Sequence, residues 1–207
     1  STSFGQAQLA AAMTEFVVRY PGVSVDLQML DRTVNLVDER IDLAIRMSND
    51  LDPNLIARRL TVCRSVICAS PGYLREHPTP QRVEDLSWHN CLTHSYVGKS
   101  LWHFEQDGEQ VSVPVQGNIS ANEASTLLQA TIAGAGVAML PSYQAGAHIK
   151  NGELIRLLSH AEPRRMNMYA VYASRKHMPS ALRSLLDFLV LKSPERPLEV
   201  IGLRLPP

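Results

Sequence analysis

Two apolar patterns at the front of the chain restrict its fold more than any other feature. Leu9, Ala12, Met13, Phe16, Val17 and Tyr20 recur at helical spacing and form one stripe on one face. Ser3 is the candidate N-cap of that helix, and Pro21-Gly22 ends it. Val23, Val25, Leu27 and Met29 then alternate with Ser24, Asp26 and Gln28, the pattern of a strand buried on one side. A short helix is expected through Val34 and Val37. The run "IDLAIRM" is too apolar for half exposure and reads as a strand covered on both faces. The order α-β-α-β predicts a parallel sheet with helical crossovers. A helix that opens an α/β unit ordinarily follows a strand, so the chain reads as cut from something longer.

The middle changes character. Three prolines and a glycine between Ser70 and Asn90 indicate turns and short helix. "NCLTHSYV" reads as a strand. Trp102 and Phe104, then Val111, Val113 and Val115, flank Asp107-Gly108, a hairpin signal. A second α/β run follows: "GNISA" as a strand, a helix capped by Asn122, "VAMLP" as a strand, a short helix to Asn151-Gly152, and "ELIRLL" as a strand. "MNMYAVYA" is the last strand. Pro179 suits the first turn of a helix whose apolar face is Leu182, Leu185, Leu186 and Leu189. The tail "SPERPLEVIGLRLPP" is expected to be extended. These runs predict two α/β lobes, residues 1–70 with 172–207 and residues 71–171.

Composition narrows the function classes. Twenty basic residues meet twenty acidic ones, for a formal charge of zero. Such a chain lacks the positive surplus on which stand-alone nucleic-acid binding rests. No run approaches the ~18 apolar residues of a membrane span, and no signal-peptide pattern opens the chain. Cys63, Cys68 and Cys91 are odd in number and outside any CxxC spacing, which reads as reduced thiols in a cytoplasmic protein.

Several chemical readings weaken on inspection. In "ATIAGAGVAMLP", Gly134 and Gly136 match the first two glycines of a dinucleotide fingerprint, but Met139 stands where the third belongs. The glycines also follow a helix instead of opening one, so Gly134 is better read as a left-handed helix end. "HNCLTH" places Cys91 between His89 and His94, yet no second cluster completes a zinc set. No G-x-S-x-G elbow marks a nucleophile. Neither a metal nor a cofactor is expected, and no catalytic residue stands out. The helix starts at Ser1, Thr2 and Ser3 and at Asn122 are more suggestive, because free helix N-termini favour carboxylates.

A set of stretches in order carries a family resemblance: "STSFG", "RYPGVSVDL", "DRTVNLVDERIDLAIRM", "LIARRL", "ICASPGYL", "DLSWHNCLTH", "LLQATIAGAGVAMLP", "GELIRLL" and "RKHMPSALRSLLDFL". Over about Ser1 to Leu191 the chain resembles the effector-binding domain of LysR-type transcriptional regulators, and only the tail beyond Lys192 departs from it. The resemblance implies a two-lobed, type 2 periplasmic-binding-protein-like α/β fold. Each lobe would be a mixed sheet flanked by helices, with an effector in the cleft between lobes. It implies effector contacts from Ser1, Thr2 and Ser3, from Thr33, and from Met47 and Ser48. From the second lobe it implies Thr93 and His94, Asn122 and Glu123, and the turn at Gly134 and Gly136. It further implies a small-molecule effector, for which the helix ends suggest a carboxylate although clefts of this type also take neutral and aromatic metabolites, and assembly as a homodimer or homotetramer. The first helix would face a partner, with Ala10, Ala11 or Val18 as extra apolar contacts. DNA would be bound only through a winged helix-turn-helix upstream, absent from this chain. The rival readings are a secreted solute-binding protein of a transporter and, behind it, a small-molecule enzyme.

Overall fold

The computed structural model describes residues 2–192, apart from 31, 33, 53, 54, 107 and 174–177. The chain opens with α1 (Thr2–Phe4), a π-helical turn (Gly5–Leu9) and α2 (Ala10–Arg19), followed by β1 (Ala44–Met47) and β2 (Ile56–Cys63). Next come β3 (Ser65–Ala69), α3 (Pro71–Glu76), a 3-10 helix (Val83–Trp88) and β4 (Cys91–His94). The hairpin strands β5 (Leu101–Gln106) and β6 (Glu109–Pro114) lead to β7 (Ser120–Ala121), α4 (Ala124–Ile132), β8 (Val137–Pro141) and α5 (Ser142–Lys150). Then β9 (Ile155–Leu157), β10 (Glu162–Pro163), β11 (Met166–Tyr172) and α6 (Ser180–Lys192) complete the order. Among the described residues no helix is long and apolar enough to cross a membrane.

The chain divides into Ser1–Cys63 with Met166–Pro207, and Arg64–Arg165. The sequence reading set these exchanges at 70–71 and 171–172. The difference has a physical cause: β2 and β3 are separated by Arg64 alone, so no turn residue marks the passage from one sheet to another.

In the first unit the sheet order is β1-β11-β2, and both pairings are antiparallel. This corrects the expected parallel sheet with crossovers, because β11, returning from more than a hundred residues away, inserts between β1 and β2. The helical stripe packs as expected. Met13 and Phe16 are buried, and Leu9, Ala12, Val17 and Tyr20 flank the same core. Phe188 of α6 joins Leu186 and Leu189 there, with its ring 5.3 Å from that of Phe16. Residues 23–29 form no strand ladder. Val23 and Val25 still pack on the core while Ser24, Asp26 and Gln28 are exposed, so the alternation reports one-sided burial and not a paired strand. The helix expected at Val34–Val37 is a turn spanning 36–40. Ser3 is no N-cap either, for it lies inside α1 and is 3% exposed.

In the second unit a five-stranded sheet runs β7-β4-β8-β3-β9. Its β4 pairs parallel with β7 and β8, whereas β3 pairs antiparallel with β8 and β9. Burial on both faces is legible residue by residue. Ile67, Ala69, Cys91 and Val137 face a core shared with Trp102, Phe104, Val113 and Val115 of the β5–β6 hairpin. Val66, Cys68, Leu92, Ala138 and Leu140 face the opposite core, with Leu127 and Leu128 of α4 and Ala145 of α5. The hairpin expected at Asp107-Gly108 forms, with Gln106 opposite Glu109 and Gly108 at φ +82°; Asp107 itself lies outside the described residues.

The crossing at Asn90 holds the sheet together at its amino end. Its amide Nδ2 donates to Asn118 Oδ1 at 2.8 Å and to the Ala135 carbonyl at 2.7 Å. Its Oδ1 accepts from the Asn118 N–H at 3.0 Å, and its carbonyl accepts from the Val137 N–H at 2.9 Å. The turn it grips is a helix end. Gly134 sits at φ +89°, its N–H bonds to Thr131 O, and the Ala135 N–H bonds to Ala130 O, the paired bonds that close an α-helix through a left-handed residue. A Cβ at Gly136 would overlap the Asn90 carbonyl. Next to Asn90, the Tyr73 hydroxyl accepts from the Asn90 N–H at 3.2 Å and meets His89 Nδ1 at 3.0 Å.

Three outcomes follow from this packing. Gly136→Ala should cost about 1–3 kcal/mol through overpacking, read as a lower urea midpoint. Burial holds the His89 pKa below 6.5, with a further lowering from His77. The unfolded chain therefore binds more protons just below that value, and stability present above pH ~6.5 should fall as pH drops through that window. Urea unfolding at pH 7.5 and 5.5 measures this, and His89→Gln should flatten the slope. Burial also raises the thiols, Cys63 to about 11 and Cys68 and Cys91 each to about 12. All three should therefore resist a disulfide reagent at pH 8 until denaturant is added.

Candidate functional site

Parallel strands aim their carboxyl ends the same way, and ligands of open α/β sheets lie outside those ends where the chain order switches sides. In the second unit that place is the end of β4. It lies between β7 and β8, and the connection from β7 to β8 runs through α4 and passes over it.

The ladder delivers the residues. Thr93 is opposite Ser120 and His94 is opposite Ala121. The Ser95 N–H then continues the pairing to Ala121 O at 2.8 Å. Thr93 is 5% exposed and belongs to the buried framework. His94 is half-buried, and its Nδ1 accepts from the Tyr96 N–H at 3.3 Å. Ser95 and Ser120 bring their hydroxyls to 3.2 Å. The Tyr96 ring, 66% exposed, stands 6.1 Å from the His94 ring. Two pairs thus stand at one strand end, an imidazole with an exposed phenol and two hydroxyls with each other. That combination suits a small ligand with both a flat and a polar part.

The start of α4 corrects an expectation. Asn122 is exposed and is not the cap. Glu123 is, with its carboxylate accepting from the Ser125 N–H at 2.7 Å and the Thr126 N–H at 3.2 Å. The longer side chain one position later reaches the second and third amides of the helix, so the end is not an open anion site.

Within this unit the turn glycines are not brought to this place. Gly134 and Gly136 lie at the opposite end of α4, beside the amino end of β4 and Asn90. The nine residues of α4 put about 13 Å between its ends. Thr2 and Ser3 lie in α1, and Met47 and Ser48 at the end of β1, all in the first unit. Met47 pairs with Met168, and the Ser48 hydroxyl donates to the Asp50 carbonyl at 2.7 Å. Ser1 and Thr33 lie outside the described residues. Sequence reasoning passed over Ser95, Tyr96 and Ser120. Only the register of β4 against β7 singles them out, since serines following a strand carry no signal alone. The "HNCLTH" residues are otherwise engaged: the Cys91 thiol donates to Leu86 O at 3.3 Å, and His89 meets Tyr73. Among the described residues no three His, Cys, Asp or Glu side chains gather as a metal set.

The family model described as LysR substrate binding domain matches residues 1–192. The HTH-type transcriptional activator TtdR of Escherichia coli O6:K15:H31 is 32% identical over 192 residues, which cover 91% of this chain and 61% of TtdR. The HTH-type transcriptional regulator DmlR of Escherichia coli K12 is 31% identical over 195 residues, 91% of this chain and 62% of DmlR. The chain therefore spans about three fifths of the length of these curated relatives. Among solved structures, the regulatory domain of CrgA, a LysR-type transcriptional regulator from Neisseria meningitidis, superposes with a TM-score of 0.79 at 29% identity, covering 94% of this chain and 96% of that one. Full-length AphB of Vibrio cholerae, at 24% identity and a TM-score of 0.79 over 92% of this chain and 65% of its own, shares the fold. Matched over residues 1–192, the chain belongs to the LysR substrate-binding-domain family and is an effector-binding domain of that kind.

Proposed function

We propose that this domain binds its small-molecule effector at the carboxyl end of β4, with His94, Ser95, Tyr96 and Ser120 in contact with it and Thr93 holding the strand end in register. The observation that carries this reading is that a ring pair, His94 with Tyr96, and a pair of serine hydroxyls both lie at one end of parallel strands. Two effector classes were expected, carboxylate and aromatic. The carboxylate expectation rested on open helix ends, and the α4 end is already filled. The exposed Tyr96 ring supports the aromatic class. Thr2, Ser3, Met47 and Ser48, with Ser1 and Thr33, stand as further contacts on the family resemblance alone.

The role follows from the family. Binding shifts the domain toward the arrangement that holds the effector better. In the whole regulator, acting in the cytoplasm as a homodimer or homotetramer, that shift alters how an upstream winged helix-turn-helix engages DNA. The domain senses and does no chemistry of its own.

A panel of small aromatic metabolites and matched carboxylates, read by thermal unfolding, tests the proposal. A ligand at a hundred times its Kd should add ~2.7 kcal/mol of stability. His94→Ala and Ser120→Ala should each weaken its affinity about tenfold, the worth of one hydrogen bond. Ser112→Ala on the β5–β6 hairpin should leave it unchanged. A ligand whose affinity ignores His94 and Ser120 would move the site elsewhere.

A further inference from the structure

The start of α4 has the sequence signature of an anion site, yet an internal anion occupies it. Besides the two backbone amides, the Glu123 carboxylate accepts from the Ser125 hydroxyl at 3.2 Å. That hydroxyl in turn accepts from Gln144 Nε2 of α5 at 2.8 Å. The donors therefore run in one direction, from the Gln144 amide through Ser125 to the carboxylate, as a network built around one negative charge does. The other Gln144 atom, Oε1, is buried and has no hydrogen-bond partner among the described residues. The vicinity of this helix end thus holds a carboxylate and an unmet acceptor, and the N–H groups of Ser125 and Thr126 are already taken. A second carboxylate arriving here meets like charge and finds its donors committed.

We propose that Glu123 determines effector specificity: it is a built-in carboxylate that fills the anion position of α4 and turns carboxylate ligands away from this end. The effectors left to the site are those that present a neutral or donor-bearing group there, such as a hydroxyl, an amide or an ammonium. The link to effector choice rests on the proposed site at the β4 end, whereas the exclusion of anions by Glu123 is measured without any effector.

The test is a titration of the 207-residue chain with sodium acetate against sodium chloride at constant ionic strength, following the backbone amide resonances of Ser125 and Thr126. In the native chain these resonances should show no saturable, acetate-specific shift. In Glu123→Ala they should shift saturably, with acetate bound at least roughly tenfold more tightly than by the native chain. Should that variant fail to fold, Glu123→Gly keeps a good cap position without a side chain and serves the same purpose. A saturable acetate shift in the native chain overturns the proposal, and so does the absence of any gain in a folded variant. The failure of every compound in an effector panel would count against the site at β4 and leave the acetate result standing. An effector found there together with a null acetate result would remove only the role given to Glu123.

Discussion

The hydrogen bonds of one side chain, Asn90, set the register on which the second unit depends. Three segments far apart in sequence meet at it: the start of β4, the turn before β8 and the segment before β7. The meeting is close enough to need glycine. A Cβ at Gly136 would overlap the Asn90 carbonyl, and one at Gly117 would overlap that of Cys91. An amide side chain is suited to this junction because it both donates and accepts, and Asn90 uses both functions on Asn118. Once β4 is locked between β7 and β8 here, period-two alternation assigns Cys91 to one core and Leu92 to the other.

The same register decides what appears at the far end of the strands. With His94 opposite Ala121 and Thr93 opposite Ser120, the polar residues that follow β4 and begin β7 are adjacent although 25 residues separate Ser95 from Ser120. The two ends of these strands therefore differ. The amino end is a closed network with its donors and acceptors matched. The carboxyl end leaves Tyr96 and Asn122 open to solvent. The glycine turn belongs to the first of these ends, where Gly136 packs against the Asn90 carbonyl.

The helix start at α4 shows how one residue changes a chemical reading. Asn122 is the better cap by type, and a capping asparagine would take one of the helix amides with a neutral oxygen. Glu123 takes the position instead, and its carboxylate supplies the charge that the helix end favours. A helix end favours a carboxylate ligand only when nothing in the chain fills it first.

Local pattern, written into neighbouring residues, was readable without coordinates. It includes the stripe from Leu9 to Tyr20, the hairpin around Gly108, the left-handed helix end at Gly134 and the strand character of 166–172. Each depends on backbone preference or on burial with a short period, and both are properties of the chain alone. Family membership was readable for a related reason, since an ordered set of short stretches survives in sequence. Partner choice between strands was not. Nothing in "VSVDLQM" distinguishes a one-sidedly buried extended segment from a paired strand, and nothing near β1 announces that β11 will pair with it in antiparallel fashion. The grouping of Ser95 with Ser120, the engagement of Ser125 and Gln144 with Glu123, and the crossing at Asn90 are likewise long-range pairings. They were decided only when the core closed, because hydrogen-bonding side chains gain their meaning from groups that folding brings within about 3 Å.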